Sequence, residues 1–120
     1  MNEALPDGAL PLEGVRPDSV DEGSLAQARL PNGTMLCVGR HNGTWFAVKD
    51  SCPHSEFPLS EGTLYANGEL ECCWHGARFD CRSGAVLRGP AEDGLVTFEV
   101  VEHAGRLYAR RAATGGGVTR

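Results

Sequence analysis

Three Asn-Gly dipeptides constrain the fold of this 120-residue sequence more than any other feature. They lie at Asn32-Gly33, Asn42-Gly43 and Asn67-Gly68, each between segments rich in apolar and β-branched residues. Asn and Gly tolerate the positive φ angles that a tight hairpin turn requires. No segment of the sequence keeps an apolar period of 3.6 residues over three helical turns. The sequence therefore predicts an all-β chain of antiparallel hairpins.

The segments beside these turns are the predicted strands. Thr34–Arg40 (TMLCVGR) is apolar on both faces, as in a strand packed between the layers of a sandwich or small barrel. The full set of predicted strands is Leu25–Leu30, Thr34–Arg40, Thr44–Lys49, Thr63–Ala66, Glu69–Cys72, Ala85–Leu87, Leu95–Val101 and Arg106–Arg110. They form one domain over residues 13–111, between a flexible acidic leader at residues 1–12 and a flexible tail at residues 112–120. We expect removal of the leader to leave the fold intact.

The net charge of −5 has an uneven distribution. Residues 1–23 hold six acidic residues and one basic residue, so the remaining residues are formally neutral. A chain without a basic surface is not expected to bind nucleic acid, and no apolar run is long enough to span a membrane. The first basic residue is Arg16 and no apolar run resembles an export signal, so we expect a cytoplasmic location.

Four metal-binding side chains occur as two pairs, Cys52-x-His54 and Cys72-x-x-His75. Two thiolates and two imidazoles fit either a tetrahedral zinc ion or a [2Fe–2S] cluster in which two histidines replace two cysteines on one iron. Structural zinc sites usually have two to four residues between the ligands of a pair, so the single-residue spacing suits zinc poorly. In the cluster, the cysteine and histidine of one loop bind different irons and need not converge on one point.

At these residues the sequence resembles the Rieske [2Fe–2S] family, and most closely the small Rieske ferredoxins of multicomponent non-haem iron oxygenases. The resemblance includes the runs DSCPHSEFPLSEG (Asp50–Gly62) and CCWHGARFDCRSG (Cys72–Gly84). Gly89–Ala91 matches the proline loop that covers the cluster in the family. The resemblance implies an antiparallel β-sandwich or small barrel with a two-loop cluster-binding subdomain, the loops covering about residues 50–62 and 72–91.

The resemblance also implies a cofactor and a function. One [2Fe–2S] cluster would be held by Cys52 and Cys72 on its inner iron and by His54 and His75 on its outer iron, near the surface. The chain would carry single electrons from an NAD(P)H-dependent flavoprotein reductase to a terminal oxygenase, docking transiently with each protein at the histidine tip. It would catalyse no reaction by itself.

Four positions favour a low reduction potential. Rieske proteins of cytochrome-bc-type complexes carry a disulfide between their cluster loops, where this chain has Phe57 and Trp74. They also carry a serine and a tyrosine hydroxyl as donors to cluster sulfur, where this chain has Ala77 and Phe79. Such donors stabilise the electron-rich reduced cluster. Without them, we expect a potential in the lower part of the roughly −150 to +300 mV Rieske range.

Two other functions stay open on the sequence. One is the small Rieske-like subunit of an assimilatory NAD(P)H nitrite reductase, and the other is a zinc-stabilised scaffold. An oxygenase is not expected, because a mononuclear iron site typically needs two further histidines and a carboxylate. Only His41 and His103 remain outside the paired motif, and we expect both to be solvated loop residues.

The remaining cysteines and a run of acids have competing interpretations. Cys37 is expected to be a small buried residue and Cys81 a structural one, with a Cys73–Cys81 disulfide left open. Five acids and no base lie between residues 50 and 71, either as ordinary solvated loop charge or as an acidic docking surface. These acids are Asp50, Glu56, Glu61, Glu69 and Glu71.

Overall fold

A computed structural model describes residues 8–51, 58–72, 76–88 and 94–111 of the chain. Within these ranges it contains two single-turn 3-10 helices, Pro17–Ser19 and Leu59–Glu61, and otherwise only strands and turns. The strands are β1 (Leu10–Pro11), β2 (Leu25–Arg29), β3 (Met35–His41), β4 (Thr44–Lys49), β5 (Thr63–Leu64), β6 (Glu69–Glu71), β7 (Arg78–Asp80), β8 (Val86–Arg88), β9 (Thr97–His103) and β10 (Arg106–Arg111). Every described strand pair is antiparallel, which confirms the predicted all-β antiparallel fold. No helix among the described residues is both long and apolar enough to cross a membrane.

Six strands form a small closed barrel in the order β1-β10-β9-β4-β3-β2. Glu13, which follows β1, forms an antiparallel bridge with Arg29 at the end of β2 and so joins the two edges. The Glu13 amide donates to the Arg29 carbonyl at 2.8 Å, and the Arg29 amide donates back at 2.9 Å. Closure satisfies backbone groups that an open sheet edge would leave unpaired.

Apolar side chains from most of these strands fill the barrel. Leu36 and Val38 of β3 alternate with Cys37, which points to the opposite face of the strand and packs in a different cluster. The interior cluster consists of Leu12, Val15, Val20, Ala28, Leu30, Leu36, Val38, Ala47, Leu107 and Ala109. Both faces of β3 are therefore buried, as the apolar run TMLCVGR predicts.

A second sheet packs on the outside of the barrel, with the strand order β5-β6-β7-β8. It lies in the chain between β4 and β9, so the barrel strands precede and follow it. Leu70 of β6 and Phe79 of β7 are fully buried against barrel side chains that include Cys37, Phe46 and Val48. The chain thus consists of a barrel and an inserted four-stranded sheet that share one apolar interface.

The predicted boundary between leader and domain at residue 12 is wrong. Leu10 and Pro11 pair with Ala109 and Tyr108 of β10, and Leu12 is buried inside the barrel. This strand was not predicted because Pro6 and Gly8 precede it and Pro11 lies within it, and such residues usually indicate a loop. The domain begins no later than Leu10.

All three Asn-Gly dipeptides form the hairpin turns that the sequence predicts. Both Asn42 and Gly43 have positive φ angles, 55° and 74°, as the two-residue β3–β4 turn requires. The Glu22 carboxylate accepts the amide hydrogens of Gly43 at 2.8 Å and of Asn42 at 2.6 Å. These two bonds lower the pKa of Glu22, since they stabilise its charged form.

Candidate metal centre

The structure describes one of the four predicted ligands. Cys72 lies directly after β6 and is 1% exposed, with its side chain in the interface between the barrel and the second sheet. Cys52, His54 and His75 lie outside the described residues, as do Phe57, Trp74 and the Gly89–Ala91 run. The evidence on these ligands therefore comes from the described residues at the start and end of each loop.

The second sheet brings the bases of all the predicted cluster loops to one of its ends. Thr63 pairs with Glu71, Glu71 with Arg78, and Arg78 with Arg88, so these four residues form one row across the sheet. The first loop enters the sheet just before Thr63, and the second loop connects Glu71 to Arg78. The run that contains the proline loop leaves the sheet after Arg88. Two distant sequence motifs thus begin and end side by side.

A buried carboxylate holds the base of the first loop. Asp50, at the end of β4, is 8% exposed. Its carboxylate accepts hydrogen bonds from the Ser60 amide at 2.7 Å, the Ser60 hydroxyl at 2.7 Å and the Gln27 side-chain amide at 2.8 Å. Because Ser60 lies on the far side of the first loop and Gln27 lies on β2, Asp50 ties both ends of this loop to the barrel.

Two backbone contacts hold the base of the second loop. The Cys72 amide donates to the Ala77 carbonyl at 2.9 Å and closes the turn between them. Gly62 approaches the neighbouring strand so closely that a Cβ atom there would lie 2.0 Å from the Glu71 carbonyl oxygen. Only glycine allows this contact, which presses the end of the first loop against the residue before Cys72.

A third contact holds the run that returns from β8 to the barrel. The Leu95 amide donates to the Gly84 carbonyl at 2.8 Å. Gly84 has a φ of 77°, and a Cβ atom on it would lie 2.6 Å from the Leu95 carbonyl oxygen. The glycine is therefore required by both its backbone angle and the close approach.

An arginine beside the second loop neutralises two of the acids that flank it. The Arg78 guanidinium donates to Glu69 at 2.8 Å, lies 3.6 Å from the Glu71 carboxylate, and stacks 4.2 Å above the Tyr65 ring. The Tyr65 hydroxyl donates to Glu71 at 2.6 Å. This hydrogen bond, together with Arg78, lowers the pKa of Glu71, and the same bond raises the pKa of Tyr65. The hydrogen bond to Glu69 raises the pKa of Arg78, so the Arg78 guanidinium stays ionised.

The acidic run between residues 50 and 71 is therefore not a uniform docking surface. Asp50 is internal and fully hydrogen-bonded, and Glu69 and Glu71 face Arg78. Among the described members of the run, Glu61 alone is exposed and makes no ion pair within 4 Å. Glu56 lies outside the described residues.

The other described cysteines and histidines have structural roles, and Cys73 lies outside the described residues. Cys37 and Cys81 are buried free thiols, which confirms the interpretation of Cys37, and burial raises the pKa of both. His103 is half-buried and meets the Tyr108 ring edge-on, with 6.2 Å between ring centroids. His41 is not a solvated loop residue, because only 9% of it is exposed.

His41 connects the barrel to the inserted sheet. Its Nε2 donates to the Ala66 carbonyl at 2.9 Å, and its own carbonyl accepts from Arg82 at 2.8 Å. Ala66 lies in the β5–β6 turn and Arg82 in the turn after β7, so one residue at the end of β3, through its side chain and its carbonyl, holds two turns of the second sheet. Sequence reasoning missed this role, since nothing in the run Arg40–Gly43 indicates a contact with residues 66 or 82.

The described residues fit a cluster in this position. No group of three or more metal-binding side chains occurs within them, since three of the four predicted ligands lie elsewhere in the chain. The donor set of two thiolates and two imidazoles is nonetheless the set that binds a Rieske [2Fe–2S] cluster. Cys72 contributes a buried thiol at the base of one loop, and Gly62 brings the other loop alongside it.

The family model for the Rieske [2Fe–2S] domain matches residues 13–99. The chain belongs to the Rieske [2Fe–2S] domain family. The match spans the barrel from Glu13 to β9 and includes the whole inserted sheet. It confirms the resemblance, and it identifies one Rieske-type [2Fe–2S] cluster as the cofactor of this electron-transfer protein. The zinc scaffold that the sequence left open is thereby set aside.

Two curated relatives are ferredoxins of dioxygenase systems. The chain is 37% identical over 91 residues to the ferredoxin component of the p-cumate 2,3-dioxygenase system of Pseudomonas putida, a match that covers 76% of this chain and 77% of that protein. It is 40% identical over 73 residues to the 3-phenylpropionate/cinnamic acid dioxygenase ferredoxin subunit of Photorhabdus laumondii, covering 61% of this chain and 70% of that protein.

Solved structures of the same fold include Rieske ferredoxins. A chain from the complex of reduced oxygenase and oxidized ferredoxin in carbazole 1,9a-dioxygenase matches with a TM-score of 0.75 at 25% identity, covering 96% of this chain and 99% of that one. The ferredoxin of carbazole 1,9a-dioxygenase from Nocardioides aromaticivorans matches with a TM-score of 0.77 at 23% identity, covering 88% of this chain and all of that one. The second likeness concerns the fold alone.

Proposed function

We propose that this Rieske protein carries single electrons from an NAD(P)H-dependent flavoprotein reductase to a terminal oxygenase. The observation that carries the proposal is the convergence of the cluster-loop bases at one end of the inserted sheet, in the row from Thr63 to Arg88. The two curated relatives, both ferredoxins of dioxygenase systems, support the same role.

We further propose that Cys52, His54, Cys72 and His75 are the four ligands. The cluster, when bound, supplies a site that accepts and releases one electron. The chain's own residues position it: Asp50 fixes the first loop, the Cys72–Ala77 hydrogen bond closes the second, and Gly62 brings the loops together. The domain would comprise the residues from Leu10 to Arg111.

Replacing ligand and non-ligand cysteines tests this assignment. We expect Cys72→Ser to abolish the visible absorption and the EPR signal of the reduced protein, because a serine cannot supply the thiolate. The matched control is Cys81→Ser, which replaces a buried thiol of the same core and should keep the signal. Retention of a native EPR signal in the Cys72 variant would contradict the assignment.

Reconstituted turnover tests the carrier role. We expect the protein to be required for NADH-dependent substrate oxidation when a flavoprotein reductase is combined with the oxygenase component of the p-cumate 2,3-dioxygenase system. The nitrite reductase alternative predicts instead that the chain co-purifies stoichiometrically with a sirohaem protein and supports no such turnover. We propose a cytoplasmic location because the described thiols of Cys37 and Cys81 are free, as is usual in a reducing compartment.

A further inference from the structure

The Glu71 carboxylate lies against the second loop. Glu71 is the residue before Cys72, so it stands at the start of the loop. A Cβ atom on Gly76, near the end of the loop, would lie 3.4 Å from Glu71 Oε2. Because Gly76 directly follows His75 in the chain, the carboxylate lies close to the backbone beside both proposed ligands of this loop.

The Glu71 side chain carries its negative charge at neutral pH. The Tyr65 hydroxyl donates to Oε1 at 2.6 Å, and Arg78 Nε lies 3.6 Å from Oε2. These contacts, the first above all, lower the pKa of Glu71. The side chain is only 23% exposed, and salt and water screen a partly buried charge less than a fully exposed one. Its field therefore extends into the loop.

Glu71 belongs to a group of two glutamates and two arginines whose charges cancel. Arg78 pairs with both Glu69 and Glu71. Arg88 faces Arg78 from β8 and attracts Glu71 as well. The two glutamates differ in their distance from the second loop, because Glu69 lies two residues earlier on β6, about 7 Å along the strand. Loss of either negative charge leaves one uncompensated positive charge, and this change lies nearer to the loop when it is made at Glu71.

From these observations we infer that Glu71 lowers the reduction potential of the bound cluster. The inference rests on the proposed ligands Cys72 and His75. Two ferric ions, two sulfides and two thiolates have no net charge together, so one added electron gives a net negative charge. A fixed carboxylate beside the loop disfavours that electron by Coulomb repulsion. This contribution is separate from the hydroxyl donors that Ala77 and Phe79 lack.

Redox titration of three variants tests the inference. We expect Glu71→Gln to raise the equilibrium constant for reduction about three- to fivefold, which is roughly 30–40 mV at 59 mV per tenfold. The matched control Glu69→Gln removes the same charge from the same arginine, at a similar exposure of 29%. It should change that constant less than about twofold, because Coulomb energy falls with distance. Glu71→Asp keeps the charge and should stay close to the wild-type potential.

EPR spectra of the reduced variants distinguish an electrostatic role from a structural one. The signal of Glu71→Gln should match that of the wild type, because the glutamine carbonyl can still accept the Tyr65 hydrogen bond. A signal that changes in Glu71→Gln and in Glu71→Asp alike, together with the potential, would show that the side chain acts on the geometry of the loop. That result would overturn the inference.

The titration uses a chemical reductant with redox mediators, so it needs neither partner protein. An unchanged or lower potential in Glu71→Gln, or an equal rise in Glu69→Gln, would overturn the role of Glu71 while the carrier function stands. A wild-type protein that supports no turnover would refute the carrier function, whereas the measured potentials would still decide the role of Glu71.

Discussion

Ala77 is a fully buried residue at the position where higher-potential Rieske proteins have a serine. Introducing the hydroxyl with Ala77→Ser should raise the reduction potential, because a donor to cluster sulfur stabilises the reduced state. A net hydrogen bond of about 1 kcal/mol corresponds to roughly 40 mV for a one-electron couple. Redox titration followed by circular dichroism in the visible range measures the shift.

The control for this substitution is another buried alanine. Ala109 lies inside the barrel, in a different cluster from Ala77. Ala109→Ser places a hydroxyl in an apolar environment at similar cost to stability but should leave the potential unchanged. A potential that falls in the Ala77 variant, or shifts equally in both, would refute the expected donor effect.

Single residues also explain why the acidic run could not be interpreted from sequence. Asp50 and Glu61 are both acids of the predicted first cluster loop, yet one is internal and the other exposed. The difference comes from Ser60 and Gln27, which donate to Asp50 from 10 and 23 residues away in the chain. Counting charges along a sequence cannot reveal such partners, since the fold decides which side chains meet.

At the scale of elements, His41 links the end of β3 to two turns of the inserted sheet. We expect His41→Ala to lower the free energy of unfolding by about 1–3 kcal/mol, because it removes a side chain that is only 9% exposed together with its part-buried hydrogen bond to the Ala66 carbonyl. The sheet that holds the cluster loops should also loosen, so the variant should lose its visible absorption faster in the presence of an iron chelator. Denaturant unfolding and chelator kinetics measure the two effects.

His103 provides the matched comparison for His41. It lies on β9, with its ring against Tyr108 rather than at the contact between barrel and sheet. His103→Ala should therefore change stability by less than His41→Ala and leave cluster loss at the wild-type rate. Equal rates of cluster loss in the two variants would contradict the linking role of His41.

Hairpins were predictable from sequence because their signals are local. The segments beside the three Asn-Gly turns correspond to strands β2 to β6, and the later predicted segments correspond to β8 to β10. Two strands were not predicted. β1 was missed because of the prolines in and before it, and β7 because Arg78–Asp80 is a strand of only three residues inside a motif that the sequence predicts as a loop. Both are held mainly by their neighbours: β10 pairs with β1, and β6 and β8 enclose β7.

At the scale of the whole molecule, the N-terminal segment completes the barrel. We expect deletion of residues 2–12 to lower the free energy of unfolding by at least about 2 kcal/mol, since it removes β1 and the buried Leu12 side chain. Deletion of residues 2–7 removes none of the described contacts and should leave stability near wild type. Guanidinium unfolding of both proteins, each with its cluster, measures the difference; equal midpoints would refute the role of β1.

The paired motif predicts the types of ligand but not the contacts around them. It predicts two thiolates and two imidazoles because a Rieske cluster binds those residue types, and the family match agrees with such a cluster. The supports around the loops, among them Gly62 and Arg78, depend on contacts across the inserted sheet. No short motif encodes a contact between two strands whose register is set by a buried face.

The closure of the barrel by the bridge between Glu13 and Arg29 has a consequence for biosynthesis. Of the described strands, β1 is the first to leave the ribosome, yet it pairs with β10, the last of them to be made. Pairing between such distant segments is slow to form, and the barrel cannot close until translation of β10 is complete. The inserted sheet is synthesised entirely before that moment, so its hairpins, which pair segments close together in the chain, can form while the barrel is still open.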